Sequence, residues 1–337
     1  MIHRAVTAVL AVLLVLGLAA CGERKEPAAR AGATEPVDLV LDYLPNADHA
    51  GLYTAIGTGE FAAAGLDVRP RTPSDPAAPL KLLAAGRADL AISYEPELLL
   101  ARAKGAKLVS IGALVQAPLT SLISLGHKAI REPGQLEDKK VGTAGIPYQD
   151  AYLQTIARRA GIDASRIRSI NVGYNLVPAL VAKRVDAVLG MFWNVEGVEL
   201  ARQHRDPQIL RMDQVGVPTY DELVIVAREQ DVRTRGALLR RFMRALARGH
   251  QRLRANIDTG VDALVKANPD LKRGLQRAQV QATLPVFFPT DRKRPFGFQD
   301  PAQWQRYATW MSANGLIPSS DTAQRAFTNE FLPGEGV

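Results

Sequence analysis

Short strand-like and helix-like stretches alternate through the first two thirds of this chain, and their order repeats. Seven alternating elements, beginning and ending with a strand, run from Val37 to Leu114, and the same seven return between Lys140 and Met212. Alternation of this kind favours parallel sheets covered by helices. The segment AAGRADLAIS at 84–93 also resembles VAKRVDAVLG at 181–190. The similarity of these two segments alone would fit any amphipathic helix that precedes a buried strand. The repeated order of the elements, however, predicts two similar α/β lobes.

The pattern changes after the second set of elements. A further strand at 222–227 is followed by helical segments at 236–254, 258–268, 270–283 and 301–313. A late strand followed by a helical tail is expected where a chain returns to its first lobe. We therefore assign 36–125 and 223–337 to lobe 1 and 126–222 to lobe 2, with a hinge crossed near 123–130 and near 219–224. Because ligands of open α/β sheets bind beyond the carboxyl ends of the strands, the ligand is expected in the cleft between the lobes.

The first residues have the features of an export signal. Arg4 precedes an apolar run that ends in Leu18, Ala19, Ala20 and Cys21, the only cysteine of the chain. A basic start, an apolar core and small residues at the end are typical of a signal peptide. The Cys21 context resembles the lipobox of bacterial lipoproteins, which predicts a signal peptide at 1–20, lipidation of Cys21 and a flexible tether at 21–35. The alternative is a chance cysteine in an ordinary secretory signal.

Aromatic, amide and acidic residues gather just after the predicted strands. Aromatic residues make up only 6% of the chain, yet they recur beside acids and amides at five of these strand ends. Such a mixture is usual for small-molecule sites. The candidate ligand-binding residues are Asp42, Tyr43, Asn46, His49, Ser93, Tyr94, Glu95, Tyr148, Tyr174, Asn175, Trp193, Asn194 and Glu196.

Several of these residues also have a purely structural interpretation. His49 fits a cap of the following helix as well as it fits a ligand contact. Trp193 and Glu196 precede or begin a predicted helix, where an acidic residue is favoured in any case. We nevertheless expect Trp193 to stack on the ligand.

Other functional classes find little support. The net charge is +8, but the basic residues are scattered and accompany no nucleic-acid-binding motif. The five histidines show no metal-ligand spacing, and neither a nucleophile elbow nor a Walker loop occurs, so no metal and no cofactor are predicted. The basic helix at 233–254 fits either anionic lipid or, as we prefer, a core-facing apolar stripe with a solvated arginine face.

A family resemblance rests on four stretches: LDYLPNADHAGLYTA, SDPAAPLKLLAAGRADLAISYEPELLLA, GTAGIPYQDAYLQ and VGYNLVPALVAKRVDAVLGMFWNVEGVELA. They resemble solute-binding proteins of bacterial ABC importers, within the group of thiamine-pyrimidine and riboflavin receptors and hydroxymethylpyrimidine synthases. The resemblance spans about residues 36–335. It implies a periplasmic-binding-protein fold, a monomer that binds without turnover, and an ABC permease with its ATPase as partner.

The synthases of this group raise an enzymatic alternative. They carry a cofactor-binding lysine and a cysteine-rich iron-binding run, where this chain has Thr58 and GVPTYDELVIV. An iron site of that kind needs cysteines that this chain does not have after Cys21. The resemblance therefore favours a binding protein over a synthase.

The residue types near the predicted cleft suggest the ligand class. Acids (Glu95, Glu97, Asp150, Glu196 and Asp221) outnumber basic residues there, whereas an anion receptor shows the reverse. We expect an aminopyrimidine precursor of thiamine, with riboflavin as the alternative. Glu196 with Asn194 or Asn175 is predicted to bind the amino edge of the ring, and Trp193 with Tyr94 or Tyr43 to sandwich it.

Overall fold

The computed structural model describes residues 34–334. The predicted signal peptide at 1–20, Cys21 and most of the predicted tether at 21–35 lie outside the described residues. The tether prediction overlaps the first strand by one residue, Glu35. The Glu35 carboxylate pairs there with the guanidinium groups of Arg235 and Arg241, which anchors the start of the strand.

Five strands form the first sheet, in the spatial order β2-β1-β3-β10-β4. β1 runs parallel to both β2 and β3, and β10 is antiparallel to β3 and β4. The late strand therefore returns to lobe 1, as its position after the second set of elements predicts. The five strands are β1 Glu35–Val40, β2 Leu66–Arg71, β3 Leu90–Ser93, β4 Leu108–Val115 and β10 Leu223–Arg228.

The second sheet repeats this arrangement in the order β7-β6-β8-β5-β9. Its strands are β5 Thr120–Leu125, β6 Lys140–Thr143, β7 Arg168–Asn171, β8 Ala187–Phe192 and β9 Pro207–Arg211. β6 is parallel to β7 and β8, and β5 is antiparallel to β8 and β9. The predicted α/β class and two-lobed fold are thus confirmed, but both sheets are mixed rather than parallel, because each contains one antiparallel strand.

The first crossing between the lobes lies earlier than the sequence predicts. Since β5 belongs to the second sheet, the chain leaves the first sheet between Val115 and Thr120, not near 123–130. Thr120, Ser121 and Ser124 make this strand resemble a loop in sequence, yet all three are buried. The Ser124 hydroxyl, for example, accepts from Ile130 N at 2.8 Å, so these polar groups are satisfied inside the fold. The return crossing lies between Arg211 and Leu223.

Glu222 joins the two crossings through hydrogen bonds. Its carboxylate accepts from the backbone N–H groups of Leu119 (2.6 Å) and Thr120 (2.7 Å). It also accepts from the hydroxyls of Thr120 (2.7 Å) and Tyr220 (3.0 Å). Burial raises the pKa of Glu222 to about 7, while these donors act in the opposite direction. One side chain thus holds both segments that connect the lobes.

The repeated aspartates have the same role in both sheets. Asp89 N donates to Asp38 O, and Asp89 Oδ2 accepts from Asp38 N, both at 2.9 Å. Asp186 N donates to Lys140 O, and Asp186 Oδ2 accepts from Lys140 N, both at 2.8 Å. Asp89 ties the start of β3 to β1, and Asp186 ties the start of β8 to β6. The similar letters therefore mark equivalent positions in the two lobes.

Twelve α-helices cover the two sheets among the described residues. They are α1 Ala50–Gly57, α2 Glu60–Ala63, α3 Pro79–Ala84, α4 Glu95–Ala103, α5 Pro147–Ala160, α6 Leu176–Val181, α7 Glu196–Arg202, α8 Glu229–Thr234, α9 Gly236–Ala255, α10 Ile257–Ala267, α11 Arg273–Thr283 and α12 Pro301–Ala313. Within residues 34–334, no helix combines the length and the hydropathy needed to span a bilayer.

The basic helix α9 packs its apolar face inward. Leu239, Phe242, Met243 and Leu246 are buried, and the Phe242 ring stacks on Phe61 with centroids 5.1 Å apart. A Cβ on Gly249 would lie 2.5 Å from Gly51 O on α1, so the two helices are in close backbone contact. The core-facing interpretation of this helix is therefore correct, and its apolar stripe is not free to enter a lipid surface.

Candidate functional site

A small cavity lies where the loops after β1, β3, β6 and β8 meet. Both lobes contribute its lining: Tyr43, Asn46, Tyr94, Ala144, Ile146, Tyr148, Gln149, Leu176, Gly190, Phe192 and Glu196. Its volume is about 20 Å³, room for about one water molecule. Tyr43, Asn46 and Glu196 also line a groove of about 500 Å³ that runs between α7 and the start of α11. The cavity therefore adjoins a wider mouth through these three side chains.

Five of the predicted residues line the cavity: Tyr43, Asn46, Tyr94, Tyr148 and Glu196. The rings of Tyr94 and Tyr148 meet edge to face with centroids 5.5 Å apart. Tyr43 and Tyr94 come from lobe 1, whereas Tyr148 and Glu196 come from lobe 2. The cleft between the lobes thus brings together residues that are far apart in sequence.

Asp42 and His49 lie behind Tyr94 and do not line the cavity. The Tyr94 hydroxyl donates to Asp42 Oδ2 at 2.8 Å, and His49 Nε2 lies 2.9 Å from Asp42 Oδ1. Asn46 N donates to His49 Nδ1, so Nε2 carries the proton and donates to Asp42. His49 also completes a capping box with Asn46. The structural interpretation of His49 is the one that these contacts support, and the pair orients Tyr94.

Ser93 and Glu95 are buried away from the cavity. The Ser93 hydroxyl donates to Glu97 Oε2 at 2.6 Å. Glu95 Oε2 accepts from Asp221 N at 2.7 Å, and burial raises the pKa of Glu95 well above its usual range. Of the five acids that suggested the ligand class, only Glu196 reaches the cavity lining, and Asp150 instead accepts from the exposed Ser169 hydroxyl.

Tyr174 and Asn175 lie at the rim. The Tyr174 ring packs edge-on against Tyr43 with centroids 4.7 Å apart, and its hydroxyl donates to Pro73 O at 2.8 Å. Tyr174 thus links lobe 2 to lobe 1. Asn175 is exposed and immediately precedes α6, so the structure does not bring it to the cavity.

Trp193 turns away from the cavity, contrary to the stacking role predicted for it. Its Nε1 donates to Pro118 O at 3.1 Å, and the Arg211 guanidinium lies 4.8 Å from the ring centroid. Neighbouring residues of an extended strand point to opposite faces. Phe192, the last residue of β8, takes the place in the cavity wall that the sequence assigns to Trp193.

Asn194 belongs to a buried hydrogen-bond cluster between the lobes. Its Nδ2 donates to Asp48 Oδ1 and to Thr283 Oγ1, each at 2.6 Å. Asp48 Oδ2 and Asn194 Oδ1 are buried without a hydrogen-bond partner among the described residues. Burial raises the pKa of Asp48 to about 7.

Glu196 is the carboxylate of the cavity wall. Its Oε2 accepts from Phe192 N at 2.8 Å, which closes a turn at the start of α7. Burial raises the pKa of Glu196 to about 7. Near neutral pH this group therefore exists in both forms, and its ionised form is a strong acceptor for an amino group.

The six lining residues that were not predicted are Ala144, Ile146, Gln149, Leu176, Gly190 and Phe192. Phe192 stands next to the predicted Trp193, and Gln149 next to the predicted Tyr148. The only sequence signal for either is this adjacency at a strand end. Within residues 34–334, no three His, Cys, Asp or Glu side chains are grouped so as to hold a metal ion.

The arrangement combines aromatic rings, one carboxylate and two amides around a narrow space. No lysine or arginine of the described residues lines the inner cavity. These side-chain types are complementary to a flat, neutral or weakly basic ring that has hydrogen-bonding edges. Such a ring is larger than the cavity, so the walls must move apart to admit it.

Comparison with known proteins finds relatives along most of this chain. A formylaminopyrimidine-binding protein of Halalkalibacterium halodurans is 32% identical over 320 residues, covering 94% of this chain and 96% of the relative. A 4-amino-5-hydroxymethyl-2-methylpyrimidine phosphate synthase of Legionella pneumophila is 25% identical, covering 88% and 92%. The alkanesulfonate-binding protein SsuA of Xanthomonas axonopodis pv. citri, solved with bound MOPS, superposes with a TM-score of 0.66 at 17% identity, covering 88% and 99%.

The SsuA likeness places this fold with the periplasmic binding proteins. A family model described as "NMT1/THI5 like" matches residues 46–258. The matched range includes the strand-end loops around Tyr94, Tyr148 and Glu196, and with them most of the cavity wall. The chain belongs to the NMT1/THI5-like family.

Proposed function

We propose that this protein is the extracytoplasmic solute-binding component of an ABC importer and binds an aminopyrimidine precursor of thiamine. The observation that carries the proposal is the Glu196 carboxylate in a cavity walled by Tyr94, Tyr148 and Phe192. A carboxylate accepts hydrogen bonds from an exocyclic amino group, while the aromatic side chains pack against the faces and edges of the ring. The formylaminopyrimidine-binding relative supports the same ligand class.

The inner cavity disfavours an anionic ligand. An anion such as a sulfonate needs basic side chains or free backbone N–H groups. The described lining of the inner cavity instead carries the Glu196 carboxyl group and neither lysine nor arginine. The likeness to a sulfonate receptor therefore extends to the fold and not to the ligand.

Calorimetric titration tests the ligand assignment. We expect the purified mature protein to bind hydroxymethylpyrimidine or formylaminopyrimidine tightly, and riboflavin and an alkanesulfonate at least a hundredfold more weakly, roughly the discrimination of a site that reads hydrogen bonds. Tight riboflavin binding without pyrimidine binding would change the ligand and keep the receptor. No binding of any of these compounds would overturn the proposal.

The same protein is expected to bind without turnover. Each pyrimidine, recovered after incubation and analysed by mass spectrometry, is expected to be chemically unchanged. X-ray scattering is expected to show a smaller radius of gyration with ligand than without it, because the lobes close. A new product formed by the purified protein alone would place it with the synthases.

The anchor and the transporter partners complete the proposal. Lipid on Cys21 would hold the receptor at the outer face of a membrane, close to its permease and ATPase. In Cys21→Ser the mature protein is expected to lose the lipid and to appear in the soluble fraction. The mass of the wild-type N-terminus decides the matter, since a mature protein without lipid contradicts the anchor and leaves the binding site unaffected.

A further inference from the structure

A buried glutamine in the cavity wall has donors that no described residue accepts. Gln149 lies in the first turn of α5 and is 1% exposed. Its Oε1 accepts from Ala144 N at 2.9 Å. This bond fixes the orientation of the amide, so the cavity side of Gln149 carries Nε2 and its two N–H groups. Gln149 therefore presents donors to the cavity and no acceptor.

Gly190 provides the room for this amide. Its φ is +106°, a conformation that side chains other than hydrogen rarely tolerate. A Cβ at this position would lie 2.2 Å from Gln149 Nε2. The equivalent position in lobe 1 is Ser93, whose hydroxyl serves Glu97 instead. Lobe 2 thus has a backbone position shaped around the Gln149 side chain.

The Gln149 donors lie in the cavity wall, where a ligand is able to accept from them. The other polar group of lobe 2 in the same wall is the Glu196 carboxylate, an acceptor when ionised. Donor and acceptor line one cavity, and both are held in place by backbone N–H groups of their own lobe. Their combination is complementary to a ligand edge that has one acceptor and one donor.

We propose that Gln149 is a specificity-determining residue that donates a hydrogen bond to a ring nitrogen of the ligand while Glu196 accepts from its exocyclic amino group. This inference rests on the proposed function, because it takes an aminopyrimidine as the ligand. An aminopyrimidine offers a ring nitrogen beside an amino group, which is the pairing that these two side chains require.

The test compares three proteins and three ligands. The proteins are the wild type, Gln149→Met and the control Gln299→Met. Gln299 is a second buried glutamine, and it forms hydrogen bonds with Ser110 and Thr328 outside the cavity. The ligands are 4-amino-5-hydroxymethyl-2-methylpyrimidine and two analogues, each with one ring nitrogen replaced by C–H. Dissociation constants are measured by calorimetry, and melting temperatures report on folding.

We expect Gln149→Met to weaken pyrimidine binding about three- to tenfold, the usual loss for one neutral hydrogen bond. Binding of one of the two analogues is expected to be the same in Gln149→Met and in the wild type, since that analogue lacks the acceptor. Gln299→Met is expected to keep wild-type affinity for all three ligands.

A second variant guards against misfolding. Gln149→Glu retains an acceptor for Ala144 N, but at pH 8 it replaces the donors with a carboxylate. We expect it to lose more than tenfold in pyrimidine affinity, because two acceptors then face each other. Equal weakening of all three ligands by Gln149→Met, or unchanged affinity in both Gln149 variants, would overturn this inference. A wild type that binds none of the pyrimidines would instead overturn the proposed function.

Discussion

The loops after β3 and β8 occupy equivalent places in the two lobes, yet they use their acidic residues differently. After β3, Glu95 and Glu97 are buried and bonded to Asp221 N and the Ser93 hydroxyl, and Tyr94 alone reaches the cavity. After β8, Glu196 remains in the cavity wall. Strand β8 also extends two residues further than β3 relative to the repeated segments.

This difference indicates a division of labour between the lobes. Lobe 2 contributes Gln149 and Glu196, whose hydrogen bonds fix them independently of lobe 1. Lobe 1 contributes Tyr43, Asn46 and Tyr94. We infer that lobe 2 distinguishes the ligand and that lobe 1 covers it when the cleft closes.

The largest expected effect is on ligand affinity, and it distinguishes the carboxylate after β8 from the carboxylates after β3. Glu196→Gln is expected to weaken aminopyrimidine binding by roughly ten- to a hundredfold, the cost of a charge-assisted hydrogen bond. Its matched control, Glu97→Gln, removes a carboxylate that bonds Ser93 outside the cavity and is expected to change affinity by less than about threefold. Calorimetry at pH 8 makes the comparison, and equal losses in the two variants would remove the distinction between the lobes.

The next effect distinguishes two neighbours at the end of β8. Phe192→Ala is expected to weaken binding about tenfold through lost apolar contact with the ring. Trp193→Ala removes a side chain that packs on Pro118 and Arg211, so affinity is expected to stay within about twofold, since it loses no contact with the ligand. The opposite ranking of the two dissociation constants would restore the stacking role that the sequence predicts for Trp193.

A pH effect is expected from the cluster between the lobes. Burial raises the pKa of Asp48 to about 7, whereas water around an open cleft would keep it lower. Closure then takes up a proton, and Asp48 makes closure less favourable as pH rises from about 4 to about 7. Asp48→Asn mimics the neutral form. We expect it to bind at least tenfold tighter than the wild type at pH 8, with the advantage shrinking as the pH falls toward about 4.

The charged and titratable groups around Asp48 are His49, Asp42, Glu222 and Glu196. They remain in both proteins, and the ligand is the same, so the ratio of the two dissociation constants isolates Asp48. Calorimetry from pH 5 to pH 8 gives this ratio. A constant ratio would show that Asp48 does not titrate on closure.

The smallest effect concerns the repeated aspartates. Asp186→Ala is expected to lower the free energy of unfolding by about 1 kcal/mol, since it removes the acceptor of Lys140 N. Asp89→Ala is expected to lower it slightly more, because Asp89 also pairs with Arg235 at 2.5 Å. Urea unfolding measures both values. A larger loss in Asp186→Ala would contradict the equivalence of the two positions.

The sequence predicts the scaffold better than the site, for a geometric reason. The alternation of apolar and polar residues predicts most strands, because burial of one face of a strand produces this alternation. It misses β5, whose Thr120, Ser121 and Ser124 are buried by virtue of partners elsewhere in the fold. Position at a strand end correctly predicts that Tyr94 and Glu196 lie near the cavity.

Side-chain direction is harder to predict from sequence. Phe192 and Trp193 are adjacent, and only the end of β8 decides which of them faces the cavity. Gln149 becomes a donor group because Ala144 N occupies its oxygen, and Gly190 leaves the space for it. None of these contacts has a signature in the local sequence.

The Glu222 carboxylate makes the two connecting segments behave as a single fulcrum. Two independent tethers would let the lobes twist and slide as well as bend. Because the segments at Leu119, Thr120 and Tyr220 share one acceptor, their relative displacement would break several buried hydrogen bonds together. Rotation about this point would preserve those bonds. We infer that such a joint would guide the lobes along one path of opening, so that each closure would bring the same side chains of lobe 1 over the same face of a ligand.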